Sequence, residues 1–392
     1  MRIGIDIRAI GYQRTGDETY TLQLIKSLAK MDKNNKYFLY TDIHDQSSLN
    51  KVEKLLSIDN KNFKVIPVSP RSKLLWTMYS LPKQARKDNI DILHVQYIAP
   101  LFLSKSIKLI TTIHDISFAR YPEFISRKDL FTLNLLIKPS LRVADSIIAI
   151  SQFTKDEIVD VYNVDREKVR VIYNGGVAQE FKEVIDNKNV LEFRAKYGII
   201  KPYLLFLGTL QPRKNITFLI EAFVKLKAKY ENNDKIRGLT LVIRGKRGGH
   251  NYDKKIDKVL DDVRDKYPQI YEQIKFIGYI SNEEIPFIFK GAKAFCFTSV
   301  YEGFGLPLLE SMTVETPVVA SSESCFPEII KDAGVIYDKG VKEDWVSKIN
   351  KLINSENLQN NLIQKGRQRA KFFSWEKNAK KTIELYEELN RG

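Results

Sequence analysis

Two glutamates, Glu302 and Glu310, flank two glycines and a proline in the stretch SVYEGFGLPLLESM. Pro307 predicts the first turn of a helix, where its missing N–H costs nothing, and Gly303 and Gly305 would leave the amides of that turn uncovered. A carboxylate that accepts from two adjacent hydroxyls can hold a sugar, and helix amides can hold phosphate. The stretch therefore predicts a site for the sugars and phosphates of a nucleotide-sugar. A purely structural turn and helix start is the alternative.

A basic pair, Arg213 and Lys214, lies in LGTLQPRKNI after a strand-like apolar run. Asn215 follows as a possible N-cap, so both cations would lie beside a helix N-terminus. A planar guanidinium, an ammonium group and a helix dipole together suit a diphosphate. A solvated basic turn explains the same residues equally well.

Two more loops follow apolar runs. In RTGDET, Gly16 would let backbone approach an anion at the start of a helix near Asp17, and an ordinary turn glycine is an equal alternative. TTIHD ends in His114 and Asp115. His114 could hydrogen-bond a sugar hydroxyl, although the pair alone favours a loop histidine followed by a capping aspartate.

Several chemistries lack the residues they need. No G-x-G-x-x-G fingerprint supports a dinucleotide oxidoreductase, no Ser or Cys nucleophile motif lies near His114, and no D-x-D pair suggests a metal. The net charge of +15 is spread over both halves, and no nucleic-acid-binding module accompanies it, so we expect no nucleic-acid partner. The chain has only two cysteines, which favours a reducing compartment. Asp6 and Arg8 interrupt the start, where a signal peptide needs an apolar run, and no run reaches the about 20 apolar residues that span a bilayer. We therefore expect a cytoplasmic protein.

The 392 residues suggest two domains. Short apolar runs alternate with helical spacing in residues 1–176, the pattern breaks at the linker-like Asn174–Val190, and it restarts in residues 190–373. We therefore predict an α/β protein with two doubly wound domains facing each other across a cleft, with ligands beyond the carboxyl ends of the strands. The last segment, 374–392, predicts an amphipathic helix with Ser374 as N-cap, which by itself would dock on its own domain.

YEGFGLPLLE resembles the E-x7-E motif of the retaining GT-B glycosyltransferases of family 4. RTGDETYTLQLIKSLAK, TTIHD, SQFTKDEI, VIYNGG, LGTLQPRKN, FIGYIS and SWEKNAKKTIELY resemble further family segments in the expected order. The resemblance covers essentially the whole chain and implies a GT-B fold with an N-terminal acceptor domain and a C-terminal donor domain. It also implies that the terminal helix crosses back to the N-terminal domain. One departure is Thr209, where many members carry arginine, so Arg213 would carry more of the phosphate charge.

The resemblance implies a role for each donor-binding residue. Gly16 would bring a backbone N–H to the distal phosphate. Arg213 and Lys214 would neutralise the diphosphate leaving group. Glu310 would hold the ribose hydroxyls, and backbone at Gly278 would contact the base. Neither a metal nor another cofactor is expected.

The transferred sugar would meet a second set of residues. Glu302 would contact it, together with the amides of Gly303, Phe304 and Gly305. His114 would hydrogen-bond it on the reacting side. The reaction implied is a front-face displacement assisted by the leaving phosphate.

The N-terminal segments most resemble mannosyltransferases of surface-polysaccharide assembly, which implies GDP-mannose as donor, ahead of UDP-glucose and other UDP-sugars. A glycan or polyprenyl-linked glycan would be the acceptor. The segments 73–87 and 97–108 mix bulky apolar residues with lysines and could contact the inner face of the membrane, although a core-facing helix is favoured around Trp76. A nucleotide-sugar 2-epimerase of the same fold and a catalytically silent partner subunit are the alternatives.

Overall fold

A computed structural model describes residues 1–11, 16–69, 72–177, 181, 185–248 and 251–391, without the side chains of residues 73, 127 and 128. The chain divides into two compact units. Unit 1 comprises Met1–Gly175 and Phe373–Gly392, and unit 2 comprises Gly176–Phe372. The predicted bounds, 1–176 with 374–392 and 190–373, differ from these at residues 176–189, part of which lie outside the described ranges, and at Phe373, which belongs to unit 1.

Unit 1 contains a parallel sheet of seven strands in the order β3-β2-β1-β4-β5-β6-β7. The chain moves outward from β1 in one direction and then returns to start again beside it with β4, so the order reverses between these two strands. Such a point is where doubly wound folds bind ligands. The strands are β1 (Arg2–Asp6), β2 (Lys36–Thr41), β3 (Phe63–Pro67), β4 (Ile92–Gln96), β5 (Lys108–Ile113), β6 (Ser146–Ala149) and β7 (Val169–Val171).

The helices of unit 1 connect these strands and bury one face each, as the sequence spacing predicted. In α1, for example, Tyr20, Leu24 and Leu28 are all buried. The helices are α1 (Gly16–Met31), α2 (Gln46–Leu56), α3 (Lys73–Leu75), α4 (Leu81–Lys87), α5 (Ser117–Arg120), α6 (Arg127–Val143) and α7 (Gln152–Tyr162), with a π-helical turn at Trp76–Ser80.

Unit 2 repeats this architecture with a parallel six-stranded sheet in the order β10-β9-β8-β11-β12-β13, whose reversal lies between β8 and β11. The strands are β8 (Tyr203–Leu207), β9 (Thr240–Arg244), β10 (Ile274–Phe276), β11 (Ala294–Phe297), β12 (Val318–Ser321) and β13 (Val335–Tyr337). The helices are α8 (Asn187–Lys196), α9 (Ile216–Lys229), α10 (Asp234–Arg237), α11 (Lys255–Lys266), α12 (Pro268–Tyr271), α13 (Ile285–Lys290), α14 (Leu306–Thr313), α15 (Phe326–Ile330), α16 (Lys342–Asn354) and α17 (Glu356–Phe372). The predicted α/β class, with a doubly wound parallel sheet in each unit, is confirmed.

The terminal helix α18 (Trp375–Arg391) belongs to unit 1 and packs against α1. Ser374 begins it, because its Oγ accepts from the Lys377 N–H at 3.1 Å. Gly175 permits the docking, since a Cβ there would lie 2.2 Å from the Trp375 ring. The helix thus crosses back to the N-terminal unit, as the family resemblance implied, and the docking on its own domain expected from the segment alone is wrong.

No helix in the described ranges is both long and apolar enough to span a bilayer.

Candidate active site

The residues predicted to bind a diphosphate lie at the strand-order reversal of unit 2. Arg213 and Lys214 occupy a 3-10 turn, Pro212–Lys214, that follows β8. Glu302 follows β11, which pairs directly with β8 in the sheet. Because both strands are parallel, their carboxyl ends meet at one edge and bring the two loops together. We call Arg213, Lys214 and Glu302 the Glu302 cluster.

Glu302 accepts hydrogen bonds from both cations through a single carboxylate oxygen. Its Oε1 lies 2.8 Å from Arg213 Nη1 and is also hydrogen-bonded by Lys214 Nζ. The three side chains are largely buried, with Glu302 14 % exposed, Lys214 10 % and Arg213 25 %. The formal charges of these three side chains sum to +1, so the cluster is suited to binding a second anion in addition to the Glu302 carboxylate.

Electrostatics hold Glu302 ionised. Burial by itself would raise the pKa of the Glu302 carboxyl, but the charges of Arg213 and Lys214 outweigh it and lower the pKa to about 2. The carboxylate therefore accepts hydrogen bonds at neutral pH and donates none.

Backbone contacts fix the two loops. The Val300 N–H donates to the Arg213 carbonyl at 2.8 Å, and Thr298 Oγ1 donates to the Lys214 carbonyl at 2.9 Å. Ser324, after β12, accepts from the Glu302 N–H at 2.8 Å and donates to the Glu302 carbonyl at 2.6 Å. Ser324 was not predicted, because an isolated serine in a loop carries no spacing signal.

Asn215 starts α9 but does not cap it with its side chain. It adopts a left-handed conformation, φ 55°, and its side chain makes no capping hydrogen bond. The predicted N-cap position is therefore right and the capping bond is wrong, because Asn215 closes the preceding 3-10 turn, a conformation that asparagine tolerates.

The opening stretch forms the predicted turn and helix. Gly305 precedes α14 at φ 86°, a conformation that requires glycine, and Pro307 lies in the first turn. Phe304 is buried beside it, and Glu310 is partly buried one turn into the helix. Glu302 thus precedes the start of α14 along the chain, and Glu310 lies within the helix.

Gly278 and Gly16 both lie where a side chain would meet no described atom within 4 Å. Gly278 follows β10 at φ 67°, which itself favours glycine. Gly16 begins α1 and has no positive φ to require glycine. Neither packing nor backbone strain within the described residues requires glycine at position 16.

In unit 1, His114 follows β5 and is 5 % exposed. Its Nε2 is 2.8 Å from Gln96 Oε1 and 3.9 Å from the Asp17 carboxylate. Asp115 instead accepts from the Ser117 N–H at 2.9 Å, although the N-cap position of α5 itself is occupied by Ile116. Gln96, which hydrogen-bonds the His114 ring, was not predicted from the sequence.

The ring of His94 lies behind this group, deep in unit 1. Its Nδ1 is 2.7 Å from the Tyr386 hydroxyl and its Nε2 is 2.7 Å from Thr112 Oγ1. Burial, with a smaller contribution from His114, lowers the pKa of His94 to about 3, so this ring is neutral at physiological pH. It joins the terminal helix to the strands that carry the site.

Among the residues that the structure describes, no three His, Cys, Asp or Glu side chains are grouped to hold a metal ion.

Residues 14–176 match the model of Glycosyltransferase Family 4, and residues 190–369 match that of Glycosyl transferases group 1. Together the two matches cover most of both units.

Individual relatives agree with these models. The chain is 28 % identical over 397 residues to the O-antigen chain mannosyltransferase B of Escherichia coli, covering 99 % of this chain and all of that protein. It is 24 % identical to the O-antigen chain mannosyltransferase RfbU of Salmonella typhimurium, covering 88 % and 89 %. Among solved structures, a glycosyltransferase from Rickettsia africae superposes with a TM-score of 0.74 at 19 % identity, covering 99 % of this chain and 98 % of that one. The chain belongs to the GT-B glycosyltransferases of the family 4 type.

Proposed function

We propose that this glycosyltransferase moves a mannosyl residue from GDP-mannose to a glycan or a polyprenyl-linked glycan, with retention of configuration. The observation that carries the proposal is the Glu302 cluster at the strand-order reversal of unit 2, in which two largely buried cations converge on one carboxylate. The relatives named as O-antigen mannosyltransferases support mannose as the sugar. UDP-glucose and other UDP-sugars are the alternative donors.

In the proposed reaction, the bond from the anomeric carbon to the diphosphate oxygen breaks and its electron pair stays on the diphosphate. Arg213 and Lys214 stabilise the charge that develops there, with the amides of residues 303–305 beside them. The acceptor hydroxyl attacks the same face of the sugar, and its proton passes to the departing phosphate oxygen. Fixed cations supply the stabilisation in this scheme, so we propose that no metal is needed.

The other residues would position the donor. Glu310 would bind the ribose hydroxyls, Gly278 would lie against the base and Gly16 would approach the distal phosphate. Glu302 and His114 would contact the transferred sugar. The ion pairs of Glu302 also affect phosphate binding. Because Arg213 and Lys214 already bind the Glu302 carboxylate, an incoming diphosphate would share these two cations with it, which limits the affinity for phosphate alone.

We further propose that the protein acts from the cytoplasm at the inner face of the cell membrane, through unit 1. Trp76 itself is buried, with its indole N–H donating to the Val68 carbonyl at 2.9 Å, so the core-facing interpretation is confirmed for that residue. The segments 73–87 and 97–108 nevertheless expose Lys83, Lys87 and Lys105. The large exposed apolar side chains of these two segments are Leu74 (53 %), Leu75 (57 %), Tyr79 (64 %) and Phe102 (75 %).

Vesicle sedimentation tests the membrane contact. Wild-type protein should bind vesicles containing anionic phosphatidylglycerol, and Phe102→Ser should reduce the bound fraction. Ile200→Ser is the matched control, since Ile200 is 87 % exposed in unit 2. Equal effects of both substitutions, or no binding by the wild type, would contradict the contact.

The transfer itself is tested with radiolabelled GDP-mannose and synthetic polyprenyl-diphosphate-linked sugars that differ in their terminal residue. We expect a mannosylated product that α-mannosidase cleaves, because GDP-mannose is an α-glycoside and retention preserves that configuration. Glu302→Ala should lower turnover more than it weakens GDP binding, since Glu302 is assigned to the sugar.

Three other outcomes would contradict the proposal. Conversion of the nucleotide-sugar without any acceptor would indicate the epimerase. Nucleotide binding without transfer to any acceptor would favour the silent subunit. A product resistant to α-mannosidase and cleaved by β-mannosidase would exclude retention.

A further inference from the structure

Three hydrogen bonds run in series along one side of unit 1 and end at His114. The Thr21 hydroxyl lies 2.7 Å from the Asp17 carbonyl, Gln96 Nε2 lies 2.6 Å from Thr21 Oγ1, and Gln96 Oε1 lies 2.8 Å from His114 Nε2. We call these four residues the His114 network. Its members come from α1, the end of β4 and the loop after β5.

Donor and acceptor rules fix the direction of every bond in the His114 network. The Asp17 carbonyl can only accept, so the single hydroxyl hydrogen of Thr21 points to it. Thr21 Oγ1 must then accept from Gln96, which orients the amide group with its NH₂ toward Thr21. The Gln96 oxygen therefore faces His114, and because that oxygen cannot donate, the proton lies on His114 Nε2.

A neutral imidazole carries one proton, so this arrangement leaves Nδ1 with its lone pair. Among the residues that the structure describes, none hydrogen-bonds His114 Nδ1. We propose that Gln96 is a positioning residue that fixes His114 in the Nε2–H tautomer, so that His114 accepts a hydrogen bond from a hydroxyl of the donor sugar through Nδ1. The sugar contact rests on the proposed function, whereas the tautomer rests only on the His114 network.

The surroundings of the ring hold it in this orientation. The Tyr20 ring meets it edge-on at 4.7 Å between centroids and 81° between planes, and Tyr97 lies at 5.6 Å. Tyr97 has φ 56°, which is uncommon for an aromatic residue, directly after Gln96. Its N–H donates to the Thr112 carbonyl at 3.0 Å, which holds the turn that ends β4. Backbone strain of this kind persists where surrounding contacts over-determine it, and it concentrates at functional sites.

The titratable groups that face His114 are Asp17 and Tyr20 from α1, His94 from β4 and Tyr97 after it. Burial raises the pKa of Tyr20 to about 12, and His94 has the lowered pKa described above, so both are neutral near pH 7. Asp17 is 45 % exposed and lies 3.9 Å from Nε2 rather than from Nδ1. The charged neighbour is therefore on the same side of the ring as Gln96.

Nitrogen-15 NMR of histidine-labelled protein without donor tests the tautomer directly. The chain has four histidines, and the signals lost in His114→Asn assign His114. We expect Nε2 at a shift typical of a protonated nitrogen and Nδ1 at a shift typical of an unprotonated one. In Gln96→Met, which lacks the acceptor, both signals should move toward averaged positions. Gln84→Met is the matched control, because Gln84 is also partly buried in unit 1 and bonds Asp88.

Kinetics and binding test the consequence for the donor. Gln96→Met should lower kcat/KM for transfer about tenfold or more, as expected for losing one oriented hydrogen bond, and Gln84→Met should not. Gln96→Glu keeps an acceptor oxygen toward His114 Nε2, so it should retain the Nε2–H tautomer. However, the negative charge of the glutamate favours the doubly protonated His114 ring, which cannot accept a hydrogen bond from the sugar. That variant should therefore lose activity as the pH falls.

Deoxyfluoro analogues of GDP-mannose identify the direction of the sugar contact. The sugar hydroxyl that contacts His114 is proposed to donate its hydrogen bond, and fluorine cannot donate one. Replacing that hydroxyl by hydrogen or by fluorine should therefore weaken binding to the wild type equally. Gln96→Met should bind the parent and both analogues with similar affinity.

A wild-type spectrum with the proton on Nδ1, or a Gln96→Met protein with an unchanged tautomer and unchanged kcat/KM, would overturn the inference. The wild-type spectrum decides the tautomer even if Gln96→Met does not fold. Absence of mannosyl transfer by the wild type would contradict the proposed function and leave the spectrum as it is.

Discussion

Replacing Glu302 by glutamine should destabilise unit 2 by about 3 kcal/mol. The pKa of the Glu302 carboxyl falls from 4.5 to about 2, and each pKa unit corresponds to about 1.36 kcal/mol of preference for the ionised form. Glutamine imitates the protonated acid, so the variant loses this preference and leaves two buried cations without their counter-charge. Because Glu302 is only 14 % exposed, solvent screening reduces the figure little.

The sign of the pH dependence follows from the lowered pKa. The pKa of the Glu302 carboxyl is lower in the folded protein than in the unfolded chain. Such a carboxyl contributes its full stabilisation at any pH above the unfolded-state pKa. The contribution is lost as the pH falls from that value to the folded-state pKa. The difference between wild type and Glu302→Gln should therefore be constant above about pH 4.5, and it should shrink as the pH decreases toward 2.

Urea denaturation of protein labelled with 5-fluorotryptophan measures this difference by fluorine NMR. Trp345 lies in unit 2 and is fully buried, whereas Trp76 and Trp375 lie in unit 1 and serve as internal references. Only the Trp345 transition should move to lower urea. Glu343→Gln is the matched control, because Glu343 pairs with Lys225 but is 63 % exposed, and such surface pairs contribute about 0–1 kcal/mol.

Equal stabilities of Glu302→Gln and Glu343→Gln would refute this reasoning. So would a difference that persists undiminished at pH 3, since the lost charge would then not be its cause.

Three further predictions concern single positions. Glu310→Ala should weaken GDP binding about tenfold, since one or two hydrogen bonds from the ribose would be lost, and unchanged affinity in calorimetry would remove that role. Gly16→Ala should keep wild-type thermal stability, because the added methyl meets no described atom within 4 Å, while weakening GDP-mannose binding. A large loss of Tm in that variant would show that Gly16 is structural. Gly175→Ala should destabilise unit 1 by about 3 kcal/mol, because the Cβ would overlap the Trp375 ring at 2.2 Å, and normal stability in urea would contradict the close docking of α18.

The strands were predictable from the sequence because buried parallel strands consist of continuous β-branched and apolar residues. The polar residues inside them were not explained by that pattern. His94, Gln96 and Thr112 point to partners on α1 and α18, and Tyr386 bonds His94 across 292 positions of sequence. Such contacts depend on which helix covers which face of the sheet, information that local periodicity does not contain.

The residue types of the donor site were predictable, but their mutual contacts were not. Arg213 and Glu302 stood in separate loops of the sequence, 89 positions apart, and each suggested its own ligand group. Their ion pair follows from the adjacency of β8 and β11, which is a property of the strand order. Ser324 was missed for the same reason, because it acts on Glu302 from the loop after the next strand.

The most direct test of the account is calorimetric titration of metal-free protein with GDP, GDP-mannose, UDP and UDP-glucose. The two guanosine compounds should bind more tightly than the two uridine compounds. Lys214→Ala should lower the affinity for the guanosine compounds, because Lys214 is assigned to the diphosphate. Preference for the uridine compounds would contradict GDP-mannose as donor, and binding of none of the four would contradict the donor site itself.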